Sequence, residues 1–312
     1  MNKLLKQLLL VCVCLFALTG QAIADSLSDA ERAYHAKDFA KAEKLYRPLA
    51  KQGNRDAQSR LGFMYYLGQG VPQDYYQAVK WFRLAADQGN DNAQFNLGVI
   101  YDNGQGVPQD DKEAVNWFRL AAEQGNADAQ FNLGMMYDRG EGVPQIYSEA
   151  VKWYQLAAKQ GNASAQFYLG VMYDNGRGIP QDYKKAVKWY QLAAKQGNVY
   201  AQFNLGMMYD NARGVPQDYK EAVKWFQLAA KQGDAKAQTN LGAKYDKGQG
   251  VPQDYALAYM WVNIAAVNAP ASELKQLAAS YRDSIAKKMT AQQIAKAQQL
   301  ARKCTANKFK GC

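Results

Sequence analysis

Residues Asn90 to Gly125 read NDNAQFNLGVIYDNGQGVPQDDKEAVNWFRLAAEQG, and this stretch decides the fold. Gly89-Asn90 supplies a helix stop followed by an N-cap side chain. Ala93, Leu97 and Tyr101 then recur at i, i+4, i+8, which places them on one face of a helix. Gly98 beside Leu97 removes a side chain where a second helix must come close. The segment Gly104-Gln105-Gly106-Val107-Pro108 cannot continue a helix, because glycine favours turns and proline restricts the residue before it. Asp110 caps a second helix, with Glu113 three residues on in the arrangement of a capping box. Ala114, Trp117, Ala121 and Ala122 form its apolar face, and Gly125 ends it.

The same unit recurs along the chain. The six tryptophans, Trp81, Trp117, Trp153, Trp189, Trp225 and Trp261, are each 36 residues apart. Pro72, Pro108, Pro144, Pro180, Pro216 and Pro252 keep that spacing, as do Leu-Gly pairs beginning at Leu61, Leu97, Leu133, Leu169, Leu205 and Leu241. A strict period of this length marks a repeat architecture. One helix pair cannot bury its apolar face alone, so successive copies stack and share a continuous core. The expected fold is all-α, a superhelical solenoid of antiparallel helix pairs, with each tryptophan a structural residue filling the gap between layers.

The repeated pattern A-x-x-x-L-G-x-x-Y-x-x-G-x-G-V/I-P-x-D-x-x-x-A-x-x-W-F/Y-x-x-A-A-x-x-G resembles the Sel1-like repeat, covering residues 54–268 as six units. The resemblance implies a right-handed α/α solenoid of the tetratricopeptide superfamily and a role as an adaptor in signalling, secretion or host contact. Residues 25–53 read as a degenerate N-terminal capping repeat. Asp38-Phe39 through Ala50 aligns with Asp74-Tyr75 through Ala86, Leu45 stands where Trp81 stands, and Ser28 to Glu31 is placed to cap a preceding helix. Past Asn268-Ala269-Pro270 the period is lost, and residues 269–312 read as capping helices and a tail. Ser272 and Thr290 serve as helix caps, the latter with Gln293 in a capping box.

The first residues carry an address. A positive start, Met1-Asn2-Lys3-Leu4-Leu5-Lys6, precedes an apolar stretch from Leu8 to Leu18 and a small-x-small site at Ala22-Ile23-Ala24, the form of a secretory signal peptide over residues 1–24. The apolar run is too short to span a membrane as a helix. The protein is therefore expected to be exported, periplasmic or extracellular, with no stable membrane insertion after cleavage. Cys304 and Cys312 would then meet an oxidising environment as an even pair and form a disulfide.

In related repeats the first helices line a concave surface. Positions 92, 96, 99 and 103 follow i, i+4, i+7, i+11 and share one stripe. Carried along the chain, the stripe gives a candidate groove of Asn92, Asn96, Val99 and Asn103, then Asn132, Met135 and Arg139. It continues through Tyr168, Val171 and Asn175, then Tyr200, Asn204 and Met207, and ends at Asn240. Amide side chains with apolar members suit an extended peptide. Charge is uneven: residues 25–142 hold 13 Lys+Arg against 17 Asp+Glu, whereas residues 143–312 hold 23 against 11. A basic half with Lys184, Lys185, Lys188, Lys195, Lys220, Lys224 and Lys231 would steer an acidic partner or an anionic membrane surface. Export and the scatter of these lysines argue against nucleic acid.

Catalysis needs converging titratable groups, and few are on offer. His35 is the single histidine, and no His/Cys cluster has metal-ligand spacing, so neither a metal nor a cofactor is expected. The Gly-x-Gly-Val-Pro segments lack the Lys-Ser/Thr of a phosphate loop and precede no strand. The aspartates at 102, 138, 174, 210 and 246 fall at the ends of first helices, where turn formation accounts for them. Ser272-Glu273-Leu274-Lys275 and Ser284-Ile285-Ala286-Lys287 match S-x-x-K without the S-D-N or K-T-G motifs of β-lactam-binding enzymes. The reading is a non-enzymatic protein-interaction scaffold of the cell envelope or cell exterior. Its rivals are a binder of glycan, peptidoglycan or an anionic surface and, more remotely, a β-lactam-binding or β-lactam-hydrolysing envelope enzyme.

Two repeats depart at turn positions. Ile146 replaces the capping aspartate found at 74, 110, 182, 218 and 254, and Ala212 replaces the glycine found at 68, 104, 140, 176 and 248. Amide hydrogen exchange is expected to be faster at 143–149 and 210–216 than at the matching turns, and uniform exchange would contradict this.

Overall fold

The computed structural model describes residues 26–270, 272–309 and 311–312. The signal segment 1–24 lies outside them. The described residues form sixteen helices and no strand. The chain divides into two compact units, one ending at Ile146 and the other running from Tyr147 to Cys312.

Unit 1 begins with α1 (26–35) and α2 (Phe39–Lys51), followed by α3 (Arg55–Leu67), α4 (Tyr75–Ala86), α5 (Asp91–Asn103), α6 (Asp111–Glu123) and α7 (Ala127–Arg139). Unit 2 holds α8 (Tyr147–Lys159), α9 (Ala163–Asn175), α10 (Tyr183–Lys195), α11 (Val199–Asp210), α12 (Tyr219–Lys231), α13 (Ala235–Lys247) and α14 (Tyr255–Asn268). It closes with α15 (Ser272–Ala286) and α16 (Ala291–Ala306). From α2 to α7 and from α8 to α15 each helix packs on the next in sequence, which is the stack of helix pairs that the period predicts, and α16 packs back on α14.

The caps are made as the residues dictate. Asn90 accepts from the Ala93 amide at 2.8 Å, and Asp110 accepts from the amides of Lys112 and Glu113 at 3.0 and 3.1 Å. Glu113 does not complete a capping box, because the Asp110 amide is already bonded to the Tyr101 carbonyl at 3.0 Å. Thr290 and Gln293 do form one, exchanging bonds of 3.3 and 2.8 Å. Helix α1 starts ahead of Ser28, so that serine lies within the helix, and Ser272 is the first residue of α15.

The core departs from expectation in one systematic way. The innermost aromatic of each repeat is the residue after the tryptophan position: Tyr46, Phe82, Phe118, Tyr154, Tyr190 and Phe226 are all fully buried. Trp117 lies against a cluster of Phe82 from the preceding repeat and Leu97 and Ile100 from its own, between layers as predicted, yet it stays half-buried, as do Trp153, Trp189 and Trp225. Trp81 and Trp261 are deeper, at 8% and 2% exposure. For Trp261 the cause is visible: Ala301 and Cys304 of α16 join its cluster and take the place of a further repeat. Cys304 and Cys312 are disulfide-bonded with Cα atoms 5.7 Å apart, and both sulfurs belong to this covering layer.

Gly98 shows why the following aromatic wins the centre. A Cβ there would meet Cδ1 of Phe118 at 2.5 Å, and the same holds for Gly206 against Phe226 at 2.6 Å. The ring lies on bare backbone, so removing it, as in Phe118→Ala, costs about 3–5 kcal/mol. The second glycine of the turn has its own constraint. Gly106 has φ +74°, and a Cβ there would run into Cβ of Tyr75 at 2.6 Å, so the turn touches the start of the previous repeat's second helix. The Gly-x-Gly-Val-Pro segment is thus an inter-repeat contact.

Polar groups also bind layer to layer. Gln58, Gln94 and Gln130 in unit 1, and Gln166, Gln202 and Gln238 in unit 2, are buried. Each donates to the carbonyl eight residues earlier, as Gln94 does to Ala86 at 3.1 Å. That bond reaches back to the preceding repeat, while their oxygens accept from the end of their own repeat's second helix: Gln88 to Gln58 and Gln124 to Gln94 at 2.7 Å, Gln196 to Gln166 and Gln232 to Gln202 at 2.8 Å. The ladder stops at Gln238, whose Oε1 is buried without a partner because Asn268 stands where the next glutamine would be.

Ala212 adopts φ +55°, the left-handed conformation that glycine takes at the matching sites, and α11 ends one residue early, at Asp210. A side chain there is strained by about 1–2 kcal/mol. Ala212→Gly is expected to raise unfolding free energy by about 1 kcal/mol in urea titrations, and an unchanged or lowered midpoint would contradict the strain.

Candidate functional site

The predicted stripe falls on the outward side of the first helices in both units. In unit 1, Asn92, Asn96, Val99 and Asn103 lie on α5, with Asn132, Met135 and Arg139 on α7; in unit 2, Tyr168, Val171 and Asn175 lie on α9, Tyr200, Asn204 and Met207 on α11, and Asn240 on α13. None is buried. The amides are less free than composition suggests. Asn96 donates to the Asn92 carbonyl at 2.8 Å, Asn103 to Val99 at 2.8 Å, Asn132 to Asp128 at 3.1 Å and Asn240 to Lys236 at 2.9 Å. Each spends one amide proton on its own helix, which leaves the carbonyl oxygen as the group best placed for a ligand. Tyr168 stacks on Tyr154 at 5.5 Å between centroids.

Each unit has a cleft on this face. In unit 1 a cleft of about 560 Å³ is lined by Glu31 of α1, Asp56, Ser59, Arg60 and Phe63 of α3, and Asn92 and Asn96 of α5. It is polar, and its one guanidinium is spoken for: Arg60 pairs with Glu31 at 3.2 Å and lies 4.7 Å above the Tyr34 ring. In unit 2 a cleft of about 500 Å³ has an aromatic floor of Phe167, Tyr200 and Phe203, with Val199, Pro270 and Leu274 as walls. The rings of Phe167 and Tyr200 are 5.8 Å apart. Asn204, Asp234 and Lys236 supply its polar edge. Asp234 caps α13 by accepting from the Ala237 amide at 2.6 Å, and burial pushes its carboxyl above the usual range.

Sequence reasoning found Tyr200 and Asn204 but passed over Val199, Phe203, Phe167, Pro270 and Leu274. A signal was present in the repeat itself. Where Val199-Tyr200 stands, other repeats have Ala127-Asp128 or Ala163-Ser164, so two large apolar side chains replace small and polar ones. Other repeats stack without them; Val199 packs at the edge of the Phe226 cluster, and Tyr200 is 60% exposed.

The aspartates at the ends of first helices bind the repeats rather than merely forming turns. Asp174 pairs with Arg213 at 2.5 Å, Asp210 with Lys244, and Asp246 with Lys288 of the turn between α15 and α16 at 2.7 Å. In unit 1 Tyr66 donates to Gln105 at 2.9 Å across the same step. Asp102 is the mismatch, because the position 39 residues on is Glu141. Burial, then Glu141 and Asp111, push the Asp102 carboxyl up, against the opposing pull of Arg139. His35 is exposed and lies 3.6 Å from Glu31. The Ser284 hydroxyl donates to the Tyr281 carbonyl at 2.7 Å, an ordinary helical back-bond.

A stack of helix pairs with an open face along its first helices defines a repeat scaffold. The Sel1 repeat model matches residues 29–54, 55–90, 91–126, 127–162, 163–198, 199–234 and 235–266, and the chain belongs to the Sel1 repeat family. It is 36% identical to c5321, described as a protective antigen present in uropathogenic Escherichia coli strains displaying an SLR fold, with a TM-score of 0.83 over 90% of this chain. The chain spans 60% of the length of that protein. It is 34% identical to a Sel1 repeat protein from Oxalobacter formigenes, with a TM-score of 0.70 over 77% of this chain and 96% of the other. No curated protein matches the sequence. The family model also takes residues 29–54 as a repeat. Sel1 repeat proteins are in general interaction scaffolds rather than catalysts.

The Asp102 mismatch gives a pH prediction. A carboxyl whose folded pKa is raised contributes stability at low pH that is lost as pH rises through that value. Glu141→Arg replaces repulsion by attraction, and it is expected to stabilise the protein at neutral pH by about 0.5–1 kcal/mol after solvent screening. The gain should shrink as the medium is acidified through the carboxylate range. A gain of the same size at all pH values would show that Asp102 is not the group responsible.

Proposed function

We propose that the protein is an exported scaffold that holds an extended segment of another protein along its first-helix face. The unit 2 cleft is the anchor for an apolar side chain of that segment. The observation that carries this reading is the Val199-Tyr200 pair: it departs from the repeat, which folds elsewhere with smaller side chains at these positions, and with Phe167 and Phe203 it lines the cleft with apolar surface. Buried aromatic anchors dominate binding energy at such surfaces, while surrounding polar groups set orientation. Asparagine carbonyls left free by the helix-bonded amides are suited to accept backbone N–H groups of an extended partner. Action in the periplasm or outside the cell is supported by the signal-like start and by similarity to a protein described as a protective antigen.

Val199→Ala with Tyr200→Ser restores the residues found in α9, so the fold should be unaffected. Photo-crosslinking from Asn204 in producing cells is expected to capture a partner with the natural chain. The double variant should capture at least about tenfold less, the effect of losing roughly 1.4 kcal/mol at one aromatic anchor. Undiminished capture at unchanged melting temperature would move the site away from this cleft, to the polar cleft of unit 1 or to another face.

A further inference from the structure

The second helices of unit 2 carry a surface that neither the core nor the first-helix site uses. On α8, Lys152, Leu156 and Lys159 follow i, i+4, i+7 and lie on one stripe. The stripe recurs as Lys188, Leu192 and Lys195 on α10 and as Lys224, Leu228 and Lys231 on α12. All nine side chains are exposed, the leucines at 43, 45 and 46%. The opposite side of each helix is the buried one, with Ala150, Val151 and Tyr154 on α8 and their equivalents on α10 and α12. Since α9 packs between α8 and α10, and α11 between α10 and α12, the stripes are held in succession. The result is a row of leucines with a row of lysines on either side.

Unit 1 serves as an internal control. Leu84 and Leu120 occupy the same repeat position at 42 and 46% exposure, so the leucine belongs to the repeat. Their flanks are Lys80 with Asp87, and Asn116 with Glu123. Helix α2 of unit 1 has the two lysines, Lys44 and Lys51, but Pro48 between them, so leucine and double lysine frame occur together only in unit 2, and packing does not ask for the combination. Lys152 pairs with Glu149 at 2.5 Å, and Lys224 pairs with Glu221. Lys159, Lys188, Lys195 and Lys231 make no ion pair among the described residues.

A solvated lysine face explains the charge but not the apolar row enclosed by it. An acidic polypeptide would match the charge, yet it would have to offer three pockets at the repeat spacing. A bilayer meets leucines at any spacing with fluid acyl chains, while lysine stems reach back to the phosphates. We propose that this face adsorbs to the surface of an anionic phospholipid bilayer, with the leucine row at the headgroup boundary and the lysine rows on lipid phosphates. No described helix is long and apolar enough to cross a membrane, so the attachment is peripheral. The first-helix face is left open, and the inference stands independently of what that face binds.

Co-sedimentation of the purified protein with vesicles tests this. Binding is expected to mixed phosphatidylglycerol and phosphatidylcholine vesicles and not to phosphatidylcholine alone, and it should weaken as salt screens the lysines. Each lysine near an anionic surface strengthens binding about fivefold, so Lys159→Gln, Lys195→Gln and Lys231→Gln together should weaken partitioning roughly a hundredfold. Leu192→Ser with Leu228→Ser should remove the part of binding that survives high salt, and Lys80→Glu in unit 1 should change nothing. Equal binding to both vesicle types, or undiminished binding by the triple variant, overturns the proposal. So does lysine-dependent binding of polyglutamate with no binding of vesicles, which would assign the face to an acidic protein. Helicity measured by circular dichroism guards each variant against misfolding.

Discussion

A ring lying on a glycine holds the rest in place. In each full repeat of units 1 and 2, the aromatic after the tryptophan position lies against the glycine of the Leu-Gly pair, as Phe118 does on Gly98 and Tyr190 on Gly170. The absence of one Cβ sets how near the two helices of a pair can come. That spacing in turn fixes where alanines such as Ala114 and Ala121 fill the remaining space without voids. Close-packed interiors tolerate neither a gap nor an extra methylene at such a point. In the last repeat Val262 takes the ring's place on Gly242, and the helices that follow complete the core.

The glutamine ladder is the polar counterpart of that contact. A buried amide without partners costs about 1–3 kcal/mol, so each rung requires the preceding repeat to stand in register. This makes the ladder a specificity device as much as a source of stability, since a slipped repeat would orphan several amides at once. Gln238 shows the cost at the end of the stack, where α15 and α16 cover the apolar surface but supply no donor to its oxygen.

Once the inner faces are committed, two outer faces are free to differ among repeats. On the first helices, departures from the repeat gather in the aromatic cleft of unit 2. On the second helices of the same unit, lysines frame a row of leucines that unit 1 also has without the frame. The charge imbalance of the sequence thus resolves into a local pattern, with the acidic residues of unit 1 including the facing pair of Asp102 and Glu141.

The sequence by itself determined the helix pairs, their period, their caps and the family, because each depends on local rules: glycine and proline at turns, asparagine or aspartate ahead of a helix, apolar residues at helical spacing. It also located the first-helix stripe and flagged Ala212, whose backbone is left-handed as its position implied. The tertiary structure decided which aromatic is central, since tryptophan and its neighbour share a helix face closely enough that only the partner glycine distinguishes them. It likewise decided that the recurring glutamines form a ladder, that the helix-end aspartates reach cations 34 to 42 residues away, and that Phe167, Phe203 and Leu274 line one cleft with Tyr200. Those contacts join residues from different repeats, and a periodicity that is identical in every copy carries no record of which copy a side chain touches.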